Sequence, residues 1–179
     1  MKSDTEATDV SATRVLQEVL KLSNKLIAPF STYLERQHKI SLNEFRLLML
    51  IGRFPALASH ELADMTGVNP MSVSRAVAAL VKHGRVVVVR DNANRRRKTI
   101  MLSDKGRKLY DVMQPQTEKV ANYFVSALDP DELQQFSTMI GKLTQALEAE
   151  DEQGRSLFME HTRPVETASP RSRGAVRNA

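Results

Sequence analysis

One stretch of 44 residues restricts the fold more than any other part of this chain: SHELADMTGVNPMSVSRAVAALVKHGRVVVVRDNANRRRKTIML, from Ser59 to Leu102. Gly67 and Gly84 divide it into three. Between them Val73, Val77, Leu80 and Val81 recur at helical spacing as an inward stripe, leaving a polar front end. Asn69 is a favoured helix cap, and Pro70 suits the first helical position, where its missing N–H is not needed. Before Gly67, Ser59 is expected to cap a shorter helix. After Gly84, Arg85 to Arg90 is rich in valine and reads as a strand. Asn92-Ala93-Asn94 is turn chemistry, and Thr99 to Leu102 returns as a second strand. Helix, glycine turn, helix, hairpin is the order of parts in a winged helix-turn-helix.

The charge distribution favours an anionic partner. The net charge is +5 over 179 residues, and it is unevenly placed. From Lys82 to Lys108 there are ten Lys or Arg against two acids, Asp91 and Asp104. Nucleic acid or a membrane surface would attract such a segment. No apolar run approaches the roughly 18–20 residues of a membrane helix. The opening MKSDTEATDVS carries acids and no apolar centre, unlike a secretory signal. A cytoplasmic protein without a membrane partner is expected. The chain has no cysteine, which removes disulfides, thiolate metal ligands and thiol redox sensing together.

Outside the central stretch the chain reads as helical. Residues 1 to about 9 are polar and expected to fray. From Val10 to about His38, Val15, Val19, Leu22, Leu26 and Phe30 mark a long amphipathic helix, with a kink or break near Ala28 because of Pro29. Ser41, with Glu44 three residues on, forms a capping box for a second helix. Its core stripe is Leu42, Phe45, Leu48, Met49 and Gly52. Asp104 opens another long helix that Pro115 should bend, with Leu109, Val112, Met113, Val120 and Phe124 as apolar positions. Asp129-Pro130 starts the last. There Leu133, Phe136, Ile140, Leu143 and Leu147 alternate steps of four and three, a heptad-like seam suited to another helix, including one from a second copy. The expected architecture is mainly α: a winged helix-turn-helix over 41–103, a helical dimerisation region from 10–40 and 104–150, a two-stranded wing, and a disordered basic tail over 153–179.

In a helix-turn-helix the second helix enters the major groove of double-stranded DNA with its N-terminal residues on the base edges. Here those residues are Asn69, Pro70, Met71, Ser72, Ser74 and Arg75. The serines suit phosphate or bases, Met71 a thymine methyl, and Arg75 guanine or phosphate. Asn69 and Ser72 also read as plain caps, but capping does not account for the arginine-rich hairpin that follows. In that hairpin Arg95, Arg96, Arg97 and Lys98 sit at or beside the tip. Strand alternation prevents all four from facing DNA at once, and a tip arginine suits a narrow minor groove. Lys82, Arg85, Arg90 and Lys98 are expected on phosphates, giving affinity rather than sequence choice.

With these residues in place, the chain from roughly 10 to 150 resembles the MarR family of bacterial transcription regulators. SLNEFRLLMLI, ELADMTGVNPMSVSRAVAALVKHGRV and RDNANRRRKTIMLSDKGRKL carry the resemblance. It implies a homodimer whose terminal helices form the base, binding pseudo-palindromic DNA with half-sites one turn, ~34 Å, apart. It also implies release by a small aromatic acid or phenol entering a crevice between base and reading head. The family wing carries Asp-x-Arg, which here reads Asn94-Arg95-Arg96. Arg96 is the matching arginine, Asn94 offers no ion pair, and Asp91 is the nearest substitute. From Ser41 to Lys98 the chain looks most like repressors of nicotinate catabolism, implying a hydroxylated pyridine carboxylate as effector.

An aromatic acid needs a cation or donor for its carboxylate and an apolar slot for its ring. His38 and Arg46 are the candidates near the expected crevice, followed by Tyr33 and Arg14. No enzyme, cofactor or metal is expected. His60-Glu61 lacks the second histidine of HExxH, position 64 being Asp64, and the glycines form no phosphate loop. The expected function is a ligand-responsive DNA-binding repressor. The alternative is a ligand-independent architectural DNA binder, with broad affinity and a steep salt dependence.

Overall fold

A computed structural model describes residues 11–54, 56–90 and 98–163. The residues expected to fray at the N-terminus, the wing tip from 91 to 97 and the tail from 164 lie outside these. Seven α-helices and one hairpin are described: α1 (Ala12–Tyr33), α2 (Leu42–Arg53), α3 (Ser59–Thr66), α4 (Pro70–Lys82), β1 (Val86–Arg90), β2 (Lys98–Leu102), α5 (Asp104–Val125), α6 (Pro130–Glu148) and α7 (Leu157–His161). The chain divides within α5, at Lys119, into two compact units.

The first unit carries the core. α1 runs through Pro29 without the expected break, then widens into a π-helical turn over Leu34–His38. Lys39 reverses the chain in the left-handed region at φ 51°. α2 starts on the expected capping box: Ser41 Oγ accepts the Glu44 N–H at 3.3 Å, and Glu44 Oε2 accepts the Ser41 N–H at 2.9 Å. The cap of α3 falls one residue earlier than expected, on Ala58 rather than Ser59. An alanine side chain has no oxygen to offer the helix, so the capping bond runs the other way, from the Ala58 N–H to Glu61 Oε2 at 2.6 Å. Gly67, at φ 64°, ends α3. Phe45, Leu47, Leu48 and Ile51 of α2 join Leu62, Val73, Val77 and Leu80 of α3 and α4, with Val86 and Ile100 of the hairpin, in one buried cluster. Val81 does not join them; it faces outward. Of α5, Met113 is buried, whereas Val112 is exposed.

The two strands pair antiparallel from Val86↔Leu102 to Arg90↔Lys98. A further bridge, Ile100 N–H to Leu57 O at 2.7 Å, ties the hairpin to the link before α3. Ser103 fastens the hairpin to α5: its hydroxyl donates to Gly84 O at 2.6 Å and accepts the Gly106 N–H at 3.0 Å. Gly106 is needed because any Cβ there would overlap the Arg85 carbonyl. Gly52 serves α2 likewise, since a Cβ would enter the ring of Tyr110, over which Arg107 stacks at 5.2 Å.

In the second unit α6 is capped by Asp129, whose carboxylate accepts the Asp131 and Glu132 N–H groups at 2.8 and 2.9 Å. No residue of α6 is buried: Ile140, Leu143 and Leu147 remain exposed in the single chain. α7 lies in the segment that composition had assigned to the tail. A turn built on Asp151 leads into it, with Oδ1 accepting the Gln153 and Arg155 N–H groups and Oδ2 the Arg155 guanidinium at 2.8 Å. The amide of Arg155 holds the Asp151 carboxyl below its ordinary value of 3.8; desolvation, the next largest influence, opposes it, and the Arg155 side chain and Gln153 amide add to the lowering.

Two outcomes follow from these junctions. Gly106→Ala is expected to cost about 1–3 kcal/mol by forced displacement of the Arg85 backbone, read as a lower urea midpoint at unchanged slope. The depressed Asp151 carboxyl stabilises its turn at pH above 3.8, a contribution lost as pH falls through the lower folded value. The Gly154 and Arg155 amide resonances should therefore hold steady above that pH and collapse toward unstructured positions only below it.

Candidate nucleic-acid interface

The front of α4 is built by two adjoining residues. Asn69 Oδ1 accepts the Ser72 N–H at 2.9 Å, and Pro70 occupies the first turn. Val73, Ala76, Val77 and Leu80 point into the core, which turns the opposite face of the helix to solvent. Met71 is 73% exposed, and Asn69, Pro70, Ser74 and Arg75 are exposed with it, Ser72 being half-buried. Six of the residues singled out from the sequence thus occupy one helix end, at the positive pole of its dipole.

Arg75 is not isolated on that face. With Ser72, Ala76 and Ala79 it lines a cleft of about 360 Å³ whose other wall is Ser41, Asn43 and Glu44 of α2. The guanidinium has no hydrogen bond or ion pair among the described residues and is available to a base edge or phosphate.

Arg90 and Lys98 sit directly opposite each other at the outer end of the hairpin, both exposed. Side chains so paired stand about 4.5–5.5 Å apart at Cβ, and like charges there repel. A phosphate between them would remove that repulsion. Lys82 is exposed on the last turn of α4. Asn94, Arg95, Arg96 and Arg97 fall outside the described residues. Arg85 does not supply the phosphate contact expected of it: it is 8% exposed, with its guanidinium on the carbonyls of His38 and Lys39.

The four effector candidates are only partly brought together. His38 Nε2 lies 3.3 Å from the Tyr33 hydroxyl, with the rings edge to face at 5.4 Å. Arg46 reaches Asn43 Oδ1 at 3.4 Å. Arg14 pairs with Glu18 at 3.2 Å near the start of α1, and at 1.5 Å rise per residue it stands roughly 28 Å from Tyr33 along the helix. Within one chain Arg14 cannot share a ligand with Tyr33 and His38. A second cleft, of about 470 Å³, opens beside them and is lined by Ser31, Glu35, Lys39, Ile40, Ser41, Leu42 and Glu44, none of which was singled out for ligand contact. Glu44 was read only as half of a capping box; its place between both clefts has no local sequence signature. Among the described residues no helix is long and apolar enough to cross a membrane.

Residues 38–97 match the model of the MarR family. No curated protein matches the chain. Among solved structures, the MarR/EmrR family transcriptional regulator of Acinetobacter sp. ADP1 is similar with a TM-score of 0.71 and 21% identity, over 78% of this chain and 99% of that one. FabT of Streptococcus pneumoniae, solved in complex with DNA, gives 0.64 and 18%, over 77% and 98%. BpsR of Bordetella bronchiseptica, whose DNA binding is regulated by 6-hydroxynicotinic acid, gives 0.64 and 20%, over 73% and 98%. The fold is therefore the winged-helix fold of these regulators, mainly helical with a two-stranded antiparallel wing.

Removing the cap tests the local architecture of the interface. Asn69→Ala is expected to lower stability by about 1 kcal/mol, seen as a shift of the thermal transition.

Proposed function

We propose that this chain is a transcription regulator of the MarR family that binds pseudo-palindromic double-stranded DNA as a homodimer, acting as a repressor. The observation that carries the proposal is the capped, solvent-facing front of α4 within the segment that matches the family. Asn69, Pro70, Met71, Ser72, Ser74 and Arg75 read the major groove. Arg90, Lys98 and Lys82 hold phosphates, and Arg95 and Arg96 at the wing tip reach the minor groove. The exposed apolar seams of α1 and α6 supply the dimer base.

The proposed effector is a small aromatic acid, such as a hydroxylated pyridine carboxylate, received near His38 and Tyr33 with Arg46 as a further cation. BpsR, of the same fold and regulated by 6-hydroxynicotinic acid, supports that chemistry.

Fluorescence anisotropy on the DNA upstream of the chain's own gene tests this reading. The titration is run against scrambled competitor, with and without 6-hydroxynicotinic acid, benzoates and phenols. Competitor-resistant binding, released by one of these acids, is expected. Arg75→Ala should lose about 1–3 kcal/mol and relax one base position. Equal affinity and sequence choice in that variant would mean that α4 does not read bases. Binding that scrambled DNA abolishes, with no response to any compound, would replace the regulator by a ligand-independent architectural protein.

A further inference from the structure

Arg85 stands where α4 leaves off and the wing begins, yet its side chain is turned inward. Nη2 donates to the carbonyl oxygens of His38 at 2.8 Å and Lys39 at 3.1 Å. Nη1 faces Glu44 Oε1 at 3.7 Å, and neither of these two buried atoms has a hydrogen-bond partner among the described residues. The second carboxylate oxygen of Glu44 is held by the amide and hydroxyl of Ser41 at 2.9 and 2.7 Å. The Arg85 backbone is engaged as well: its N–H donates to Leu80 O at 2.8 Å, and its carbonyl accepts the Ser103 N–H at 3.1 Å. One residue therefore touches the exit of α4, the root of β1, the end of α1, the start of α2 and the entry to α5.

This is a poor way to gain stability. A separation of 3.7 Å is too long for a hydrogen bond. A buried ion pair also repays its desolvation only when its geometry is good and its remaining polar atoms are satisfied. What the guanidinium does well is present two nitrogens in different directions, Nη2 to the adjacent carbonyls of His38 and Lys39 and Nη1 towards Glu44, which neither an apolar side chain nor a lysine with its single nitrogen reproduces.

We propose that Arg85 is a positioning residue for DNA recognition. It does not touch the duplex; it holds the recognition helix and the root of the wing in register with the end of α1. The inference rests on the DNA-binding reading above and deepens it. The carbonyl it grips belongs to His38, partner of Tyr33, so the same clamp ties the proposed effector side to the reading head.

The test compares wild type, Arg85→Met, Arg85→Met/Glu44→Gln and Arg90→Ala on one labelled duplex over a range of salt, well below each melting temperature. Arg85→Met alone strands the Glu44 carboxylate and should melt early. The double variant removes that stranded charge and should recover the melting temperature. The expected result is a double variant that is stable yet binds about tenfold or more weakly, with an unchanged slope of log affinity against log salt. Arg90→Ala, removing a phosphate contact, should instead reduce that slope by about one. Wild-type affinity in the stable double variant overturns the proposal, since Arg85 then serves folding alone. A reduced slope overturns it too, by placing the guanidinium on phosphate. If the double variant does not fold, Arg85→Lys, which keeps the charge but has one nitrogen in place of two, carries the same comparison. A wild-type protein that binds no duplex at any salt overturns the DNA reading and this inference together, an outcome distinct from equal binding by wild type and variant.

Discussion

Burial of one face of α4 is the constraint on which the rest of the first unit depends. Val73, Ala76, Val77 and Leu80 are held against α2 and α3, and a fully buried valine or leucine contributes roughly 1.5–3 kcal/mol. With a helical repeat of 3.6 residues, fixing those four side chains leaves no freedom in where Met71, Ser74 and Arg75 point. The polar front is exposed because the apolar back is anchored. The hairpin shares in this, since Val86 and Ile100 belong to the same buried cluster.

The junctions around that cluster are made with backbone at very close quarters. Gly106 and Gly52 are sites where even one added carbon has no room, against a carbonyl in one case and an aromatic ring in the other. Ser103 bridges the exit of α4 and the first turn of α5 with a single hydroxyl. Rigid joints of this kind pass displacements on instead of absorbing them. That suits the proposed reading, in which helix and wing would meet one duplex together.

Much of this was legible in the sequence because it is local. The caps at Ser41 and Asn69 and the helix start at Asp129-Pro130 are where the sequence puts them, as each depends on residues within three positions of one another. The hairpin was visible in its valines and its turn residues. Elsewhere the outcome turned on competition between neighbours or on contacts distant in sequence. Ser59 looked the better cap by residue type, but Glu61 reaches back three positions and sets the boundary at Ala58. Val81 matched the helical period, yet Leu80 beside it takes the buried place on the last turn and Val81 faces outward. Arg85 sat in a run of cations and looked like one more surface charge. Nothing near it in sequence reveals the two carbonyls more than forty residues upstream that draw it inward. Arg14 and Tyr33 share a helix, and only the length of that helix shows that they cannot share a ligand.

The facing cations Arg90 and Lys98 carry a consequence for the wing in the absence of any partner. Their repulsion is screened by dissolved ions over a distance of about 10 Å at 0.1 M salt and about 30 Å at 0.01 M. The pair stands closer than either length, so dissolved salt eases their repulsion only in part. The backbone pairing of the two strands therefore holds the stem closed against a charge that dilution makes heavier.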